Sequence, residues 1–575
     1  MDGGHHVARV LREEGIQFLF TLCGGHISPI LVAAKHSGIR VIDTRHEVNA
    51  VFAADATARI TGTPGVAAVT AGPGITNTIT AIKNALLAQS PVVLLGGAAP
   101  TLLKGRGALQ DIDQMALMKP NVKWAAAVRS VGSIYPTLKK AFRIAREGVP
   151  GPVFVELPLD ILYDEQVVRA GFEKTLQNSV TIPQRITAWY IKRHLDKVFK
   201  PQEISSESSP APTAPTHRST DIDRAVKLIQ ASARPVAVIG SGALMLPTEA
   251  GALSESLLKM DIPVYLSGMA RGVLGSQSPV QFRHHRKEAL READLVILAG
   301  VPCDFRLEYG RHIHSRANVI SINRSQSDLT KNRRPTLGVL ADPLRFLVAL
   351  SKDAGVSSSR WENWKKTLRD REQSREDSIR QTGSQASDGL HPVALFLELE
   401  KQLDSQALFV ADGGDFVGTA SYIVRPRTPL SWLDPGVFGT LGIGGGFAVG
   451  AKLCRPENEV VIIYGDGSAA YSLAEFDTFV RHRLPVIAIV GNDASWSQIA
   501  RDQVDILKDD CGTVLAHSDY EKVAEAFGGK GRRVTTVEEF NSALEEARRS
   551  VRQGIPFLIN AILQKSDFRK GSLSM

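Results

Sequence analysis

Residues 460–468 read VVIIYGDGS, an apolar and β-branched run that ends in a Gly-Asp-Gly turn. A second apolar run, 484–490, ends in Gly491-Asn492-Asp493, and Asp493 follows Asp466 by 27 residues. Runs of this kind are typical of strands that are buried on both faces of a parallel sheet. Because neighbouring parallel strands end at the same edge, the sequence predicts that Asp466 and Asp493 lie close together.

Similar runs recur along the whole chain and alternate with longer amphipathic stretches, which indicates an α/β protein with parallel sheets. A chain of 575 residues is too long for a single core. We therefore expect three doubly wound parallel-sheet domains.

The candidate strands are 65–70, 91–95, 152–156, 235–239, 295–298, 319–322, 460–464, 485–490 and 556–559.

Two breaks in composition divide the chain. Residues 202–217 are rich in Ser, Pro and Thr, which is typical of an exposed linker. Residues 361–388 are highly charged, which favours a polar helix that crosses between domains. The predicted domains are 1–170, 219–352 and 389–575, and the predicted linkers are 171–218 and 353–388.

Charge and composition narrow the class of protein. The net charge of +8 permits an anionic ligand, but the basic residues are scattered, so we expect no nucleic acid as a partner. The densest basic run, Arg-His-His-Arg-Lys at 283–287, is either a solvated surface run or a phosphate contact. No apolar run reaches the roughly 18 residues of a membrane span, and we expect no signal peptide. The cysteines, which lack metal-ligand spacing and are expected to stay reduced, are Cys23, Cys303, Cys454 and Cys511.

The two strand ends have the composition of a site for a metal-bound diphosphate. Gly465 and Gly467 let the backbone approach a diphosphate, and Ser468 can donate a hydrogen bond to it. A Gly-Asp-Gly sequence alone is usually only a turn, but the pairing of two polar strand ends favours Mg²⁺, which prefers oxygen ligands. The candidate ligands are Asp466, Asn492, Asp493 and the carbonyl oxygen of Ser495.

In these features the chain resembles the thiamine-diphosphate-dependent enzymes of the acetolactate synthase type. That family has Gly-Asp-Gly and, after a similar spacing, Asn-Asn, of which the second Asn binds the metal. Here the pair is Asn492-Asp493, so a carboxylate stands at the ligand position. The other segments that match family motifs are RHEVNA at 45–50, TAGPGITN at 70–77, GDF at 414–416 and GTLG at 439–442.

The resemblance implies that the chain binds thiamine diphosphate and Mg²⁺. Glu47 would hydrogen-bond the aminopyrimidine ring and thereby activate the thiazolium carbon; the alternative is a surface salt bridge. Leu441 would hold the cofactor in its bent shape. The other residues implied in cofactor binding are Gly72, Pro73, Asn77, Gly414, Asp415, Phe416, Gly465, Asp466, Gly467, Ser468 and Asp493.

The resemblance also implies an oligomer. Members of this family place the aminopyrimidine on the first domain of one chain and the diphosphate on the third domain of another. Glu47 and Asp466 would then act together across a subunit interface, which implies a homodimer or a homotetramer.

Two more residues are candidates for contact with a small-molecule substrate. His26 either orients or deprotonates a substrate hydroxyl or has a structural role, and Gln110 is placed to contact the reacting carbonyl. In the central domain, Pro302 stands where flavin-binding relatives have Arg, which disfavours flavin. The candidates for the phosphates of coenzyme A are the turn 240–242, Arg271 and Arg306; an empty nucleotide fold is the alternative.

Segments 21–29 and 283–287 and the Asn492-Asp493 pair are most similar to the family's lyases that act on 2-hydroxyacyl-CoA. This resemblance implies cleavage of long-chain 2-hydroxyacyl-CoA to formyl-CoA and an aldehyde one carbon shorter, within fatty-acid α-oxidation. It implies a location at the endoplasmic reticulum membrane through an N-terminal segment absent from this chain, or in the cytosol if this is the native form. The alternatives are an acetolactate synthase-like carboligase acting on pyruvate and a non-catalytic scaffold.

Overall fold

The computed structural model describes residues 2–172, 181–200, 213–353, 358–385 and 389–571. The chain forms two compact units, Met1–Thr213 and Ala214–Met575. Within the described residues, the first unit has one six-stranded sheet and the second has two, and the strand pairs in all three are parallel. The expected α/β fold with parallel sheets is confirmed.

The sheet of the first unit has the strand order β2-β1-β3-β4-β6-β5. Its central strands are buried along their whole length because helices cover both faces. The strands are β1 (Phe18–Leu22), β2 (Arg40–Asp43), β3 (Gly65–Val69), β4 (Val92–Ala98), β5 (Trp124–Ala127) and β6 (Val153–Pro158). The α-helices are Gly3–Glu13, Ser28–His36, Glu47–Thr61, Pro73–Thr76, Ile79–Leu87, Gln114–Met118, Val131–Arg146, Leu159–Leu162, Glu165–Gly171 and Ile182–Val198.

The first sheet of the second unit has the strand order β12-β11-β10-β7-β8-β9. One buried cluster packs against each of its faces. The strands are β7 (Pro235–Ile239), β8 (Val264–Leu266), β9 (Gln281–Phe282), β10 (Leu295–Ala299), β11 (Asn318–Asn323) and β12 (Leu337–Leu340). The α-helices are Ser219–Ala231, Ala250–Met260, Arg286–Glu292, Gln326–Leu329, Pro343–Asp353 and Glu362–Ser384.

The second sheet of this unit has the strand order β14-β13-β15-β16-β18-β17. The strands are β13 (Leu408–Asp412), β14 (Trp432–Leu433), β15 (Val460–Gly465), β16 (Ile487–Asn492), β17 (Lys530–Val534) and β18 (Phe557–Ile562). The α-helices are Pro392–Lys401, Asp415–Ile423, Gly444–Cys454, Asp466–Ser472, Glu475–Arg481, Ser497–Leu507, Tyr520–Ala526 and Val537–Arg552. β15 and β16 are neighbours, with Gly465 opposite Gly491, so the turn at Asp466 and the one at Asp493 begin side by side.

The two predicted linkers contain helices. Helix Ile182–Val198 lies within the predicted linker 171–218, and its Ile191, Leu195 and Val198 are buried. Helix Glu362–Ser384 confirms the polar helix predicted in the charged stretch. Parts of both linker predictions, 173–180, 201–212, 354–357 and 386–388, lie outside the described residues. The domain limits stay predictions. Among the helices described, none has the length and apolar character needed to cross a membrane.

Candidate active site

Asp466 is the first residue of a helix that starts directly at the end of β15. One of its carboxylate oxygens accepts a hydrogen bond from the backbone N–H of Gly467 at 2.8 Å, and the other from that of Ser495 at 3.2 Å. The second bond spans two neighbouring strand ends. The carboxylate is therefore held at the edge of the sheet, as the sequence predicts.

Asp493 lies beside Asp466 at this edge. Burial raises the pKa of Asp466 to about 6, and the negative charge of Asp493 adds to the shift. Burial also raises the pKa of Asp493, which accepts a hydrogen bond from the hydroxyl of Ser497. A divalent cation that binds between two buried carboxylates offsets their mutual repulsion and takes their oxygens as ligands. These residues therefore fit Mg²⁺.

The structure does not bring the amide of Asn492 into this group. Its Nδ2 donates to the carbonyl of Ser518 at 3.2 Å and to Oδ1 of Asn560 at 3.1 Å, and its Oδ1 is 3.2 Å from Nδ1 of His517. Both polar atoms of this buried amide thus have hydrogen-bond partners. This geometry supports Asn492 as a ligand less well than Asp466 and Asp493, and its role as a metal ligand stays a prediction.

Ser468 connects two of the strand ends. Its hydroxyl donates to the backbone carbonyl of Asp412 at 2.5 Å and lies 2.9 Å from the carbonyl of Gly465. A hydroxyl has one proton to donate. Ser468 therefore ties β13 to the Gly-Asp-Gly turn, and donation from its side chain to a diphosphate stays a prediction.

Glycines form a cradle between the ends of β13 and β15. A methyl group on Gly465 would lie 3.6 Å from Oγ of Ser468 and 3.8 Å from Cα of Gly413, in the space between the two loops. A methyl group on Gly467 would instead come within 2.6 Å of the ring of Trp496. The backbone of the Gly-Asp-Gly turn is thus open at Gly465 and packed against a side chain at Gly467. The open side fits a diphosphate, which needs close approach to backbone.

Leu441 lines the same space on a loop that a buried carboxylate fixes. Asp412, at the end of β13, accepts hydrogen bonds from the backbone N–H groups of Gly442 at 3.0 Å and Gly444 at 2.7 Å. Gly442 has φ +85°, a conformation that favours glycine. Complete burial raises the pKa of Asp412 to about 7 although these two bonds oppose the shift. Asp412 therefore sets the position of Leu441.

The loop 414–416 follows β13 and closes another side of the space. Asp415 forms ion pairs with Arg501 and, at 4.0 Å, with Arg569. Phe416 is buried and its ring covers Gly491, where a methyl group would come within 2.6 Å of it. Phe416 thus supports the end of β16 from behind, and Gly414 and Asp415 face the space itself.

These loops open into a cavity of about 1270 Å³ within the second unit. One wall is formed by the strand ends described above. The opposite wall belongs to the sheet β7–β12 and is rich in cations. Its charged and polar residues are Arg286, Lys287, Arg291, Arg306, Glu308, Arg311 and His312.

Part of this positive charge is not taken up by ion pairs. Arg306 pairs with Asp304 at 2.7 Å, and Arg311 pairs with Glu308 at 2.8 Å. Within the described parts of the chain, Arg286, Lys287 and Arg291 form no ion pair with a carboxylate, although the charge of Asp304 also acts on Arg286. Burial lowers the pKa of Arg286, and the charge of Arg306 lowers it further. The wall therefore attracts an anion.

The basic run 283–287 is divided between two roles. Arg283 donates to the carbonyl of Tyr422 at 2.6 Å, and the buried His284 is 3.1 Å from Oε1 of Glu376. Both residues join the sheet β7–β12 to its neighbours. Arg286 and Lys287 line the cavity. The first two residues of the run are therefore structural, and Arg286 and Lys287 are the ones that an anionic ligand could contact.

The turn 240–242 packs closely against Gly300. Methyl groups on Gly240 and Gly242 would come within 2.6 Å and 2.9 Å of the backbone of Gly300, which fills the turn. Arg271 is half-buried, donates to the carbonyl of Ser421 at 2.8 Å and stacks on Trp432 at 5.1 Å. The turn and Arg271 thus both contact other parts of the protein, and their binding of coenzyme A phosphates stays a prediction.

In the first unit, Glu47 begins the helix that follows β2 and is only 6% exposed. Its Oε2 accepts a hydrogen bond from the amide of Asn77 at 3.0 Å, and Nδ1 of His46 is 3.9 Å away. Within the described residues, Oε1 receives no hydrogen bond. A buried carboxyl group with one free oxygen can share a proton with a ring nitrogen, such as that of an aminopyrimidine.

The structure also brings His26 and Gln110 together. Nδ1 of His26 is 3.1 Å from the hydroxyl of Thr70, which donates to Oε1 of Gln110 at 3.5 Å. Burial lowers the pKa of His26, so the imidazole is neutral near pH 7. Gly72 packs against the backbone of Gln110, where a methyl group would come within 2.7 Å of its carbonyl oxygen. His26, Gln110 and the exposed Pro73 therefore border one surface.

Sequence reasoning missed three residues that support the site. Asp412, like Asp466, stands at the carboxyl end of a buried apolar strand, and this shared position in the sequence could have identified it. Gln114 accepts from the N–H of Gly72 at 2.9 Å and donates to Glu156 at 3.0 Å, which fixes the turn 72–74. Thr70 lies two residues before the Gly-Pro-Gly segment. No sequence pattern marks Gln114.

Comparisons with known proteins agree with this geometry. Models of thiamine pyrophosphate enzymes match the chain in three parts: the N-terminal TPP binding domain at 1–117, the central domain at 222–350 and the C-terminal TPP binding domain at 412–561. The 2-hydroxyacyl-CoA lyase 2 of Danio rerio is 49% identical over 582 residues, covering 100% of this chain and 93% of that protein. The human protein of the same name is 45% identical over 587 residues, covering 100% and 92%. An acetolactate synthase large subunit of Mycobacterium tuberculosis is 34% identical over 570 residues, covering 98% and 96%.

Proposed function

Because the chain belongs to the thiamine pyrophosphate enzyme family, we propose that it is a carbon–carbon lyase that uses thiamine diphosphate. Its substrate is a long-chain 2-hydroxyacyl-CoA, and its products are formyl-CoA and an aldehyde one carbon shorter. The full-length similarity to 2-hydroxyacyl-CoA lyases supports this choice over a carboligase acting on pyruvate, since the acetolactate synthase is more distant.

The observation that carries the substrate class is the basic wall of the cavity. Coenzyme A has three phosphate groups, and the cavity presents Arg286, Lys287 and Arg291, which form no ion pair among the described residues. Pyruvate has a single carboxylate and would leave most of this charge unused. The same cavity contains the diphosphate loops, so a ligand bound at the wall extends towards the reacting carbon.

At the opposite wall, Asp466 and Asp493 would hold Mg²⁺ together with the carbonyl oxygen of Ser495. Gly413, Gly414 and Gly465 would admit the diphosphate, and Leu441 would support the thiazolium ring. When bound, thiamine diphosphate supplies a carbon nucleophile and an electron sink. The negative charge of Asp493, where relatives of the acetolactate synthase type have Asn, would bind the cation more tightly.

Glu47 would exchange a proton with the aminopyrimidine ring through its free Oε1, while Asn77 holds Oε2 in place. The neutral imidazole of His26 would accept the proton of the substrate hydroxyl as the bond between C1 and C2 breaks. Thr70, which lies between His26 and Gln110, would orient both side chains. Gln110 would donate its amide to the thioester carbonyl.

We also propose a homodimer or homotetramer in which Glu47 of one subunit completes the site that contains Asp466 of another. The family's division of the cofactor between chains supports this arrangement. Mixing Glu47→Gln with Asp466→Ala protein tests it, because a heterodimer has one intact site. Recovery of activity on mixing supports the proposal, and two variants that stay inactive together under subunit exchange contradict it. The location at the endoplasmic reticulum membrane rests on the same family resemblance.

The substrate class is tested by reversing the free charge of the wall. Lys287→Glu with Arg291→Glu should raise the KM for a long-chain 2-hydroxyacyl-CoA at least tenfold, about 1.4 kcal/mol, with little change in kcat. Lys259→Glu, at an exposed position outside the cavity, is the matched control. An unchanged KM in the double variant would show that the wall does not bind the coenzyme A phosphates.

A further inference from the structure

Helix Ile182–Val198 presents apolar side chains on two opposite faces. Ile191, Leu195 and Val198 are buried against the first unit. About two and a half turns separate Ile182 from Ile191, so the face of Ile182 points away from the unit. That outer face is formed by Ile182, Ile186, Trp189 and Tyr190, whose exposed fractions are 75%, 62%, 59% and 51%.

The helix is fixed to the unit, so its outer face is a stable surface. His194 lies 2.7 Å from the hydroxyl of Thr101, whose N–H and hydroxyl both bond to Asp160. Arg169 of helix Glu165–Gly171 forms an ion pair with Asp196 at 2.7 Å. These bonds set the rotation of the helix and therefore which side chains face outward.

Basic side chains surround the apolar face. Arg185, Lys192, Arg193 and Lys197 are exposed, and the guanidinium of Arg193 lies over the ring of Trp189 at 5.2 Å. Asp196, the acidic residue of this helix, is already paired with Arg169. Within the described residues, the outer face is therefore apolar, aromatic and cationic.

We propose that the outer face of helix Ile182–Val198 binds the surface of an anionic lipid bilayer. Isoleucine side chains enter the boundary of the acyl chains, Trp and Tyr rings favour the headgroup level, and Lys and Arg attract anionic lipids. All three features occur on this one face. The proposal goes beyond the enzymatic function and does not involve an N-terminal membrane segment.

A second copy of the chain fits this face less well. In a two-fold symmetric contact the same patch meets itself, so both copies of Arg185, Lys192, Arg193 and Lys197 would lie in one interface. Like charges across an interface disfavour association. The cores of protein interfaces are also depleted in such charged residues. Charge complementarity therefore favours an anionic lipid surface over a second copy of the chain.

The test is sedimentation of the full chain with vesicles of phosphatidylcholine, with and without phosphatidylserine. We expect binding to the anionic vesicles that weakens as salt rises, and a loss of at least tenfold in affinity for Ile186→Ser with Trp189→Ser. Leu258→Ser, which removes an exposed apolar side chain of another helix, should bind like the wild type.

Three results would overturn the proposal. The first is no binding of the wild-type chain to anionic vesicles, and the second is equal binding by the Ile186→Ser, Trp189→Ser variant. The third is a change of oligomeric state in that variant without any vesicle binding, which would assign the face to a second copy. Lyase activity in the absence of vesicles should not change in this variant, because neither residue belongs to the active site, and it reports that the protein is folded.

Discussion

The two glycines of the Gly-Asp-Gly turn should respond to alanine in opposite ways. A methyl group on Gly467 would come within 2.6 Å of the Trp496 ring, so the indole must move by about 1 Å to restore ordinary contact. Overpacking of this kind costs about 1–3 kcal/mol. The unfolding entropy of the unit Ala214–Met575 is roughly 0.8 kcal/mol per K, so we expect Gly467→Ala to lower the Tm by roughly 1–4 °C.

Gly465→Ala is the matched comparison. Its methyl group would lie 3.6 Å from Oγ of Ser468, an ordinary contact, so the Tm of the cofactor-free protein should not change. The same methyl group fills the cradle, and the Kd for thiamine diphosphate with Mg²⁺ should therefore rise by about tenfold or more. Calorimetry gives the Tm, and titration of the tryptophan fluorescence gives the Kd. A wild-type Tm for Gly467→Ala, or wild-type cofactor binding by Gly465→Ala, would refute this reasoning.

Three further changes test individual residues. Glu47→Gln should still bind cofactor but lose exchange of the thiazolium hydrogen by about 10²–10⁴-fold, since the amide cannot transfer the proton; unchanged exchange measured by NMR contradicts this role. Asp466→Ala should weaken the metal-dependent binding of the cofactor; an affinity that stays the same and ignores added chelator rules out the metal site. Burial raises the pKa of Asp412 to about 7 from an ordinary 3.8, so the folded protein holds this proton more tightly than the unfolded chain. The resulting contribution to the free energy of unfolding is fully present below about pH 4 and is lost as the pH rises through 7. In a profile of Tm against pH, Asp412→Asn should reduce the fall in Tm between pH 4 and 7. A profile parallel to that of the wild type contradicts the raised pKa of Asp412.

The buried strands could be predicted because their signal is local. The runs 460–464 and 485–490 are apolar along their whole length, and the structure has strands Val460–Gly465 and Ile487–Asn492 there. Edge strands such as Gln281–Phe282 and Trp432–Leu433 are too short to leave a pattern. Helix Ile182–Val198 was missed because its apolar residues occupy two faces and therefore lack a single amphipathic period.

The partners of polar side chains could not be predicted in the same way, because they come from distant parts of the chain. Asp412 binds the backbone of Gly442 and Gly444, about 30 residues later. Asn492 meets Asn560 on a neighbouring strand, and this contact occupies its Nδ2. A motif can place a residue at a strand end, but the neighbouring strand decides which atoms remain free.

The central claim is that the chain cleaves a 2-hydroxyacyl-CoA. Purified protein with thiamine diphosphate and Mg²⁺ is incubated with a long-chain 2-hydroxyacyl-CoA and, in parallel, with pyruvate, and the products are identified by chromatography and mass spectrometry. The account predicts formyl-CoA and the aldehyde one carbon shorter in equal amounts from the first substrate. Acetolactate from pyruvate, without aldehyde from the acyl-CoA, would contradict it.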